Sequence, residues 1–170
     1  MTFIEKVAAK IEAEEGRRHS VYLCTAGKQT VGVGFNLDDF QIPDIVLDFW
    51  RVDNEDRMLK LRRSAEIDYR FISDEVIDFW LKYIINKLVN KLVEHEWFNK
   101  LDENRRVVLV DMSFQLGLNG MLRFVKMINA LRAEHWHEAA AELLDSLYAS
   151  EDQTPERAQR NAEILRSGEL

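Results

Sequence analysis

The sequence predicts an α+β fold dominated by helix, and three observations carry that expectation. An amphipathic helical stripe opens the chain. A glycine-punctuated run of β-branched residues follows it, and helical periodicity holds from Asp38 to the end. The 170 residues suit one domain, or two small lobes sharing a long helix.

Each element has its own signal. Residues 3–15 place Phe3 or Ile4, Val7, Ala8 and Ile11 on one face, and Gly16 supplies a stop just past the last turn. His19 to Phe35 reads as a small hairpin, with a turn at Thr25-Ala26-Gly27-Lys28 between Val21-Tyr22-Leu23 and Thr30-Val31-Gly32-Val33-Gly34. Pro43 fits a first helical turn, with short helices expected over 44–50 and 55–64.

Ser73 is a suitable N-cap for a long helix to about His95, carrying Val76, Phe79, Trp80, Tyr83, Ile84, Lys87 and Leu88 at helical spacing. Asp102 caps the next, whose Val107, Val108, Val110 and Met112 make it apolar on nearly every side. Helices at about 121–132 and 136–147 follow. Thr154-Pro155, a cap and then proline at the first helical position, starts a last helix that ends near Gly168. The resulting division is a sheet-containing lobe over about 16–72, a connecting helix over about 73–95, and a helical lobe from 1–15 with about 96–170.

Composition narrows the function. A net charge of −7 excludes a basic nucleic-acid binder on bulk charge, and the long-range field would repel other polyanions. Arg51, Arg57, Lys60, Arg62 and Arg63 cluster locally, and Lys82, Lys87 and Lys91 recur at helical spacing, as a solvated face does. A single cysteine, Cys24, allows no internal disulfide and suits a reducing compartment. The opening residues are too charged for a secretion signal, and no run is apolar enough to span a membrane. His95, His19, His135 and His137 have no partners at ligand spacing, so no metal and no cofactor is expected. Trp50, Trp80, Trp97 and Trp136 sit among apolar neighbours and are expected in the core.

Glu15 is the most informative residue. It follows Ile11 by four and Val7 by eight, so it falls on the apolar face of the first helix, with Glu14 beside it as the internal control. It also ends that helix, where the dipole disfavours an anion. Both effects favour the protonated carboxyl. A carboxyl set against two local rules is either paired with a cation or kept for function. Gly32 and Gly34 interrupt a strand, which serves either close backbone approach to a ligand or a bend in the hairpin.

Glu15-Gly16, Val21-Tyr22, Cys24, Gly27 and Thr30-Val31-Gly32-Val33-Gly34 together resemble the catalytic hairpin of the phage-type lysozymes, the family of the T4 enzyme. Its pattern is a Glu, eight residues, an Asp or Cys, five residues, then a Thr, and both intervals are met here by 16–23 and 25–29. Arg105-Arg106, Phe114-Gln115-Leu116-Gly117, Trp136-His137-Glu138-Ala139-Ala140 and Gln153-Thr154-Pro155-Glu156-Arg157-Ala158 resemble later family signatures in the same order. The resemblance is weakest over 36–72. Phe35 departs from it, standing where some relatives have a histidine in a structural ion pair.

The resemblance implies a lysozyme-like fold and hydrolysis of the β-1,4 bond between N-acetylmuramic acid and N-acetylglucosamine in bacterial peptidoglycan. It makes Glu15 the general acid and Thr30 the residue that positions the attacking water. Arg157 would support Glu15, and Gly32, Phe114, Gln115 and Thr154 would contact the sugars. Cys24 stands where many relatives have Asp. A thiol of reference pKa near 8.5 is a poorer anion than a carboxylate, so base, nucleophile and electrostatic partner all stay open for it, beside simple packing.

A phage endolysin of this kind would be a monomer in the host cytoplasm that needs a holin to reach the wall, without inserting into the membrane itself. Two other activities share these residues. A lytic transglycosylase also needs one acidic glutamate but releases an anhydro sugar. A non-catalytic wall-binding virion protein would have kept only the fold.

Overall fold

A computed structural model of the chain describes residues 1–24, 27–37, 43–46, 48, 72–150 and 154–170, with Leu147 described for its backbone alone. The expected helices over 44–50 and 55–64 lie largely outside these residues, as do the Arg51 to Arg63 cluster, Trp50 and Gln153; residues 44–46 are helical. The described elements are mostly helix with one small antiparallel sheet, as the sequence predicts. They form two compact units, one of Met1–Glu14 with Ile84–Leu170 and one of Glu15–Tyr83.

The first helix, α1 (Phe3–Glu15), ends where expected. Val7 and Ile11 are fully buried, and Gly16 follows at φ +73°, a left-handed conformation that glycine adopts without penalty.

In the unit of Glu15–Tyr83, β1 (Arg18–Leu23) pairs antiparallel with β2 (Gln29–Gly32), Tyr22 facing Thr30. A third strand, β3 (Phe35–Asn36), escapes the sequence reading. Gly32 and Gly34, both at positive φ, bend the chain around Val33 so that Phe35 pairs with Val31 and Asn36 with Thr30. Phe35 is buried and stacks on Trp80 at 4.3 Å between ring centres. Arg17 pairs with both Asp74 (2.6 Å) and Asp78 (2.5 Å), and the Ile72 N–H donates to the His19 carbonyl (2.8 Å). These contacts tie the start of β1 to the residues that open the next helix.

That helix, α2 (Asp74–Leu92), is capped by Ser73, whose Oγ accepts the Val76 N–H at 3.2 Å. Its buried stripe is Val76, Ile77, Trp80, Leu81, Ile85 and Leu92. Phe79, Tyr83, Ile84 and Leu88 are only half-buried and Lys87 is exposed, so the helix is rotated about its axis from the expected stripe. It also stops three residues early. Tight bonds from Glu94 to Lys91 and from His95 to Leu92 turn the chain, and a short α3 (Glu96–Lys100) follows that the sequence did not announce.

The remaining helices belong to the unit of Met1–Glu14 with Ile84–Leu170. In α4 (Glu103–Leu116), Asp102 caps as predicted, accepting the Arg105 N–H at 3.0 Å, and every residue from Val107 to Ser113 is buried. The helix expected at 121–132 starts only at Val125, as α6 (Val125–Arg132); a separate short helix, α5 (Leu118–Met121), precedes it, and bonds reaching three and then two residues back from Arg123 to Val125 turn the chain between them. α7 (Trp136–Leu144) gives way to a single 3-10 turn at Leu147–Ala149. α8 (Pro155–Ser167) starts on its proline and closes on Gly168 at φ +77°. α8 packs against α7 and α4, burying Ala158, Ala162, Ile164 and Leu165.

Candidate active site

Glu15 closes α1 on the stripe that buries Val7 and Ile11, and it is half-buried. Its carboxyl rests against Gly34. A methyl group built on Gly34 would lie 3.1 Å from Glu15 Oε2, at a φ of +70° that also disfavours any side chain. The turn glycine therefore shapes the space the carboxyl occupies.

Gly32 answers to a different demand. A methyl there would come within 2.6 Å of the Phe35 ring, at φ +65°. Of the two close-approach sites, only Gly34 meets the acid, while Gly32 makes room for a core aromatic.

Thr30 is buried at the centre of the sheet, and its Oγ donates to the Lys28 carbonyl at 3.1 Å. With the hydroxyl proton committed, its lone pairs are what it offers a ligand. Cys24 follows β1 at the hairpin turn, half-buried, with its N–H donating to Lys28 O (3.0 Å) and its carbonyl accepting from Gly27 (2.8 Å). Tyr22 links these groups. Burial pushes its phenol up, the guanidinium of Arg18 over its ring opposes this, and the charges of Glu15 and Cys24 raise it further. Glu15, Tyr22 and Cys24 thus share one electrostatic neighbourhood.

Glu14, the control beside Glu15, is itself held in a network of ion pairs. It accepts from Lys10 at 3.0 Å and, through both oxygens, from Arg160 at 3.0 and 2.5 Å, and its side chain is 8% exposed. Burial raises its pKa, but the bonds from Arg160 and Lys10 outweigh burial and hold the carboxyl at about 2.

Among the helices, Arg157 is buried in a bidentate pair with Asp111, at 2.7 Å from Nη2 and 3.2 Å from Nε. Asp111 is fully buried and also accepts from Asn161 Nδ2 (3.0 Å), which donates in turn toward the Tyr148 hydroxyl (3.3 Å). Burial pushes the Tyr148 phenol up to about 12, opposed by Arg157 and by bonds to Thr154 and Asn161.

Thr154 does not cap α8 with its side chain; its Oγ accepts from Gln115 Nε2 at 3.2 Å. That contact spans 39 residues and overrides the local capping preference. Gln115 Oε1 and Asn161 Oδ1 are buried without a partner among the described residues. Phe114 is half-buried one residue before Gln115.

Asp111, Asn161 and Tyr148 were not singled out from sequence. Asp111 had a signal, since a carboxyl inside a helix apolar on every side must be paired or protonated. Asn161 and Tyr148 had none.

The profile of the phage lysozyme family matches residues 12–163. Two similar proteins come from Dictyostelium discoideum. Probable T4-type lysozyme 2 is 26% identical over 94% of this chain and 93% of its own length. Probable T4-type lysozyme 1 is 22% identical over 98% of this chain and 97% of its own. The pre-baseplate central spike protein Gp5 of Enterobacteria phage T4 is 25% identical over 96% of this chain, which spans 28% of that protein. With the sheet, the helical bulk and nearly the whole length accounted for, the chain belongs to the phage lysozyme family.

Proposed function

We propose that the protein is a peptidoglycan glycoside hydrolase that cuts between N-acetylmuramic acid and N-acetylglucosamine, with Glu15 as its general acid. The observation that carries this is the seat of the Glu15 carboxyl, at the end of α1 against a glycine no side chain can replace without crowding it. In the reaction Glu15 gives its proton to the glycosidic oxygen as the bond to the anomeric carbon breaks. A water adds to that carbon, and its proton passes to the Cys24 thiolate, after which exchange with solvent returns a proton to Glu15.

Thr30 accepts a hydrogen from this water, because its own is held by Lys28 O. Cys24 is the second ionisable group beside it and supports the positive charge that develops on the sugar. Among the helices, Gln115, Thr154 and Phe114 bind the glycan, with Gln115 and Thr154 held together by their side-chain hydrogen bond. Asp111 fixes Arg157, and with it the start of α8 that carries Thr154.

The test is the product. Purified peptidoglycan digested by this protein should yield fragments with a reducing muramic acid end, one water heavier than the anhydro form, by mass spectrometry. Anhydro ends would make it a transglycosylase, and undigested wall would leave a binding protein.

A further inference from the structure

A second concave site lies entirely within the unit of Met1–Glu14 with Ile84–Leu170, and none of its residues belongs to the site above. It is a cavity of about 360 Å³, inside the roughly 300–1,000 Å³ of small-molecule sites. Its walls include Trp97, Trp136, Leu101 and Leu131. Trp136, expected in the core, is only half-buried. Arg105 holds it, with its guanidinium 3.9 Å from the ring centre and itself anchored on Leu165 O (2.8 Å) and Arg166 O (3.1 Å). This gives a fixed aromatic surface at the mouth of a cavity.

The rim is mixed in charge. Glu94 and Glu96 are already matched by Lys91 and Lys100. Arg132 and Glu134 have no side-chain partner among the described residues. Glu134 is also the one non-glycine residue with positive φ among them, at +59°. It ends α6 where the Glu134 and His135 N–H groups reach back to Leu131 and Ala130, a position that glycine usually takes. A carboxylate is thus kept at the rim where the backbone favours its absence.

We infer that this cavity binds an N-acetylated amino sugar of a glycan strand, stacked on Trp136 and hydrogen-bonded by Glu134 and Arg132. Among the described residues, Glu134 as acceptor and Arg132 as donor, of opposite charge, suit neutral hydroxyls, which are donor and acceptor at once, better than a charged ligand. The inference rests on the glycan reading above and adds a hold on the wall outside the reaction.

The probe is tri-N-acetylchitotriose, titrated into Glu15→Gln protein so that nothing is cut, with the indole N–H signals of Trp97 and Trp136 followed by NMR. Both should move along one saturating curve, and Glu134→Gly with Arg132→Ala should weaken that curve about tenfold. Glu134→Gly relieves a left-handed residue, so a denaturation midpoint at or above that of its parent shows that folding is intact. Indole signals that stay fixed at about 10 mM sugar, or that respond equally in the double variant, overturn the inference. Wall digestion by the unaltered protein reports separately, so fixed signals with active enzyme remove the second site alone.

Discussion

Replacing Glu14 by glutamine should destabilise the protein at neutral pH and do nothing at strong acid. The carboxyl is held at about 2 against an ordinary 4.5, by Arg160 and Lys10 acting against burial. At 1.36 kcal/mol per pH unit, that gap sets a ceiling of about 3 kcal/mol. Arg160 is 55% exposed, and solvent screening of such a partner brings the expectation to about 1–2 kcal/mol. The sign follows from a depressed folded-state pKa. The stabilisation is complete above 4.5 and drains away as pH falls from there to about 2.

Urea unfolding of wild type and Glu14→Gln at pH 7, 4.5, 3 and 2 reads this directly. At pH 7 the variant's midpoint should fall by about 0.5–1 M, for a slope of roughly 2 kcal/mol/M. By pH 2 the two curves should have converged. Arg160→Ala should lose a similar amount at pH 7 with the same convergence. A penalty that is the same at pH 7 and pH 2 would refute the electrostatic account and make Glu14 a packing residue.

Three other outcomes follow from the geometry. Asp111→Ala removes the bidentate carboxylate partner of the buried Arg157 guanidinium and should cost about 3–5 kcal/mol by denaturant unfolding, and a loss under 1 kcal/mol would contradict the pairing. Gly34→Ala forces a side chain into a left-handed residue against Glu15; it should cost about 1–2 kcal/mol and reduce wall turbidity clearance about tenfold or more, and an unimpaired variant removes Gly34 from the site. Cys24→Ser should be severely impaired, because serine supplies no anion at neutral pH. Cys24→Asp should keep substantial activity with the base limb of its pH–rate profile moved to lower pH, and two variants that both match wild type make Cys24 packing alone.

What the sequence disclosed depended on how local the cause was. α1 was legible to the residue, because a stripe of Val7 and Ile11 and the stop at Gly16 are all local signals. The Ser73 and Asp102 caps were legible for the same reason. β3 was not, since two residues carry no periodicity and only the bends at Gly32 and Gly34 hint at a return. The breaks after Leu92 and Met121 contain neither glycine nor proline, so nothing in the residues marks them.

At the candidate site, spacing alone singled out Glu15, Cys24 and Thr30, all within one stretch of sixteen residues. The start of α8 at Thr154-Pro155 was legible, but the side-chain contacts of Glu14 and Thr154 were not, because their partners, Arg160 and Gln115, stand 146 and 39 residues away. No local rule can weigh a competitor at that distance.

The central claim is that Glu15 supplies the proton that breaks the glycosidic bond, and one substitution tests it. Glu15→Gln keeps the shape of the side chain but cannot act as an acid. Its unfolding midpoint should equal or exceed that of wild type, since it removes a carboxyl from the end of a helix where the dipole disfavours charge. Its clearance of purified peptidoglycan should fall by about 10²–10⁴-fold, the usual contribution of a general acid. A folded Glu15→Gln protein that retains more than about a tenth of wild-type clearance would contradict the account.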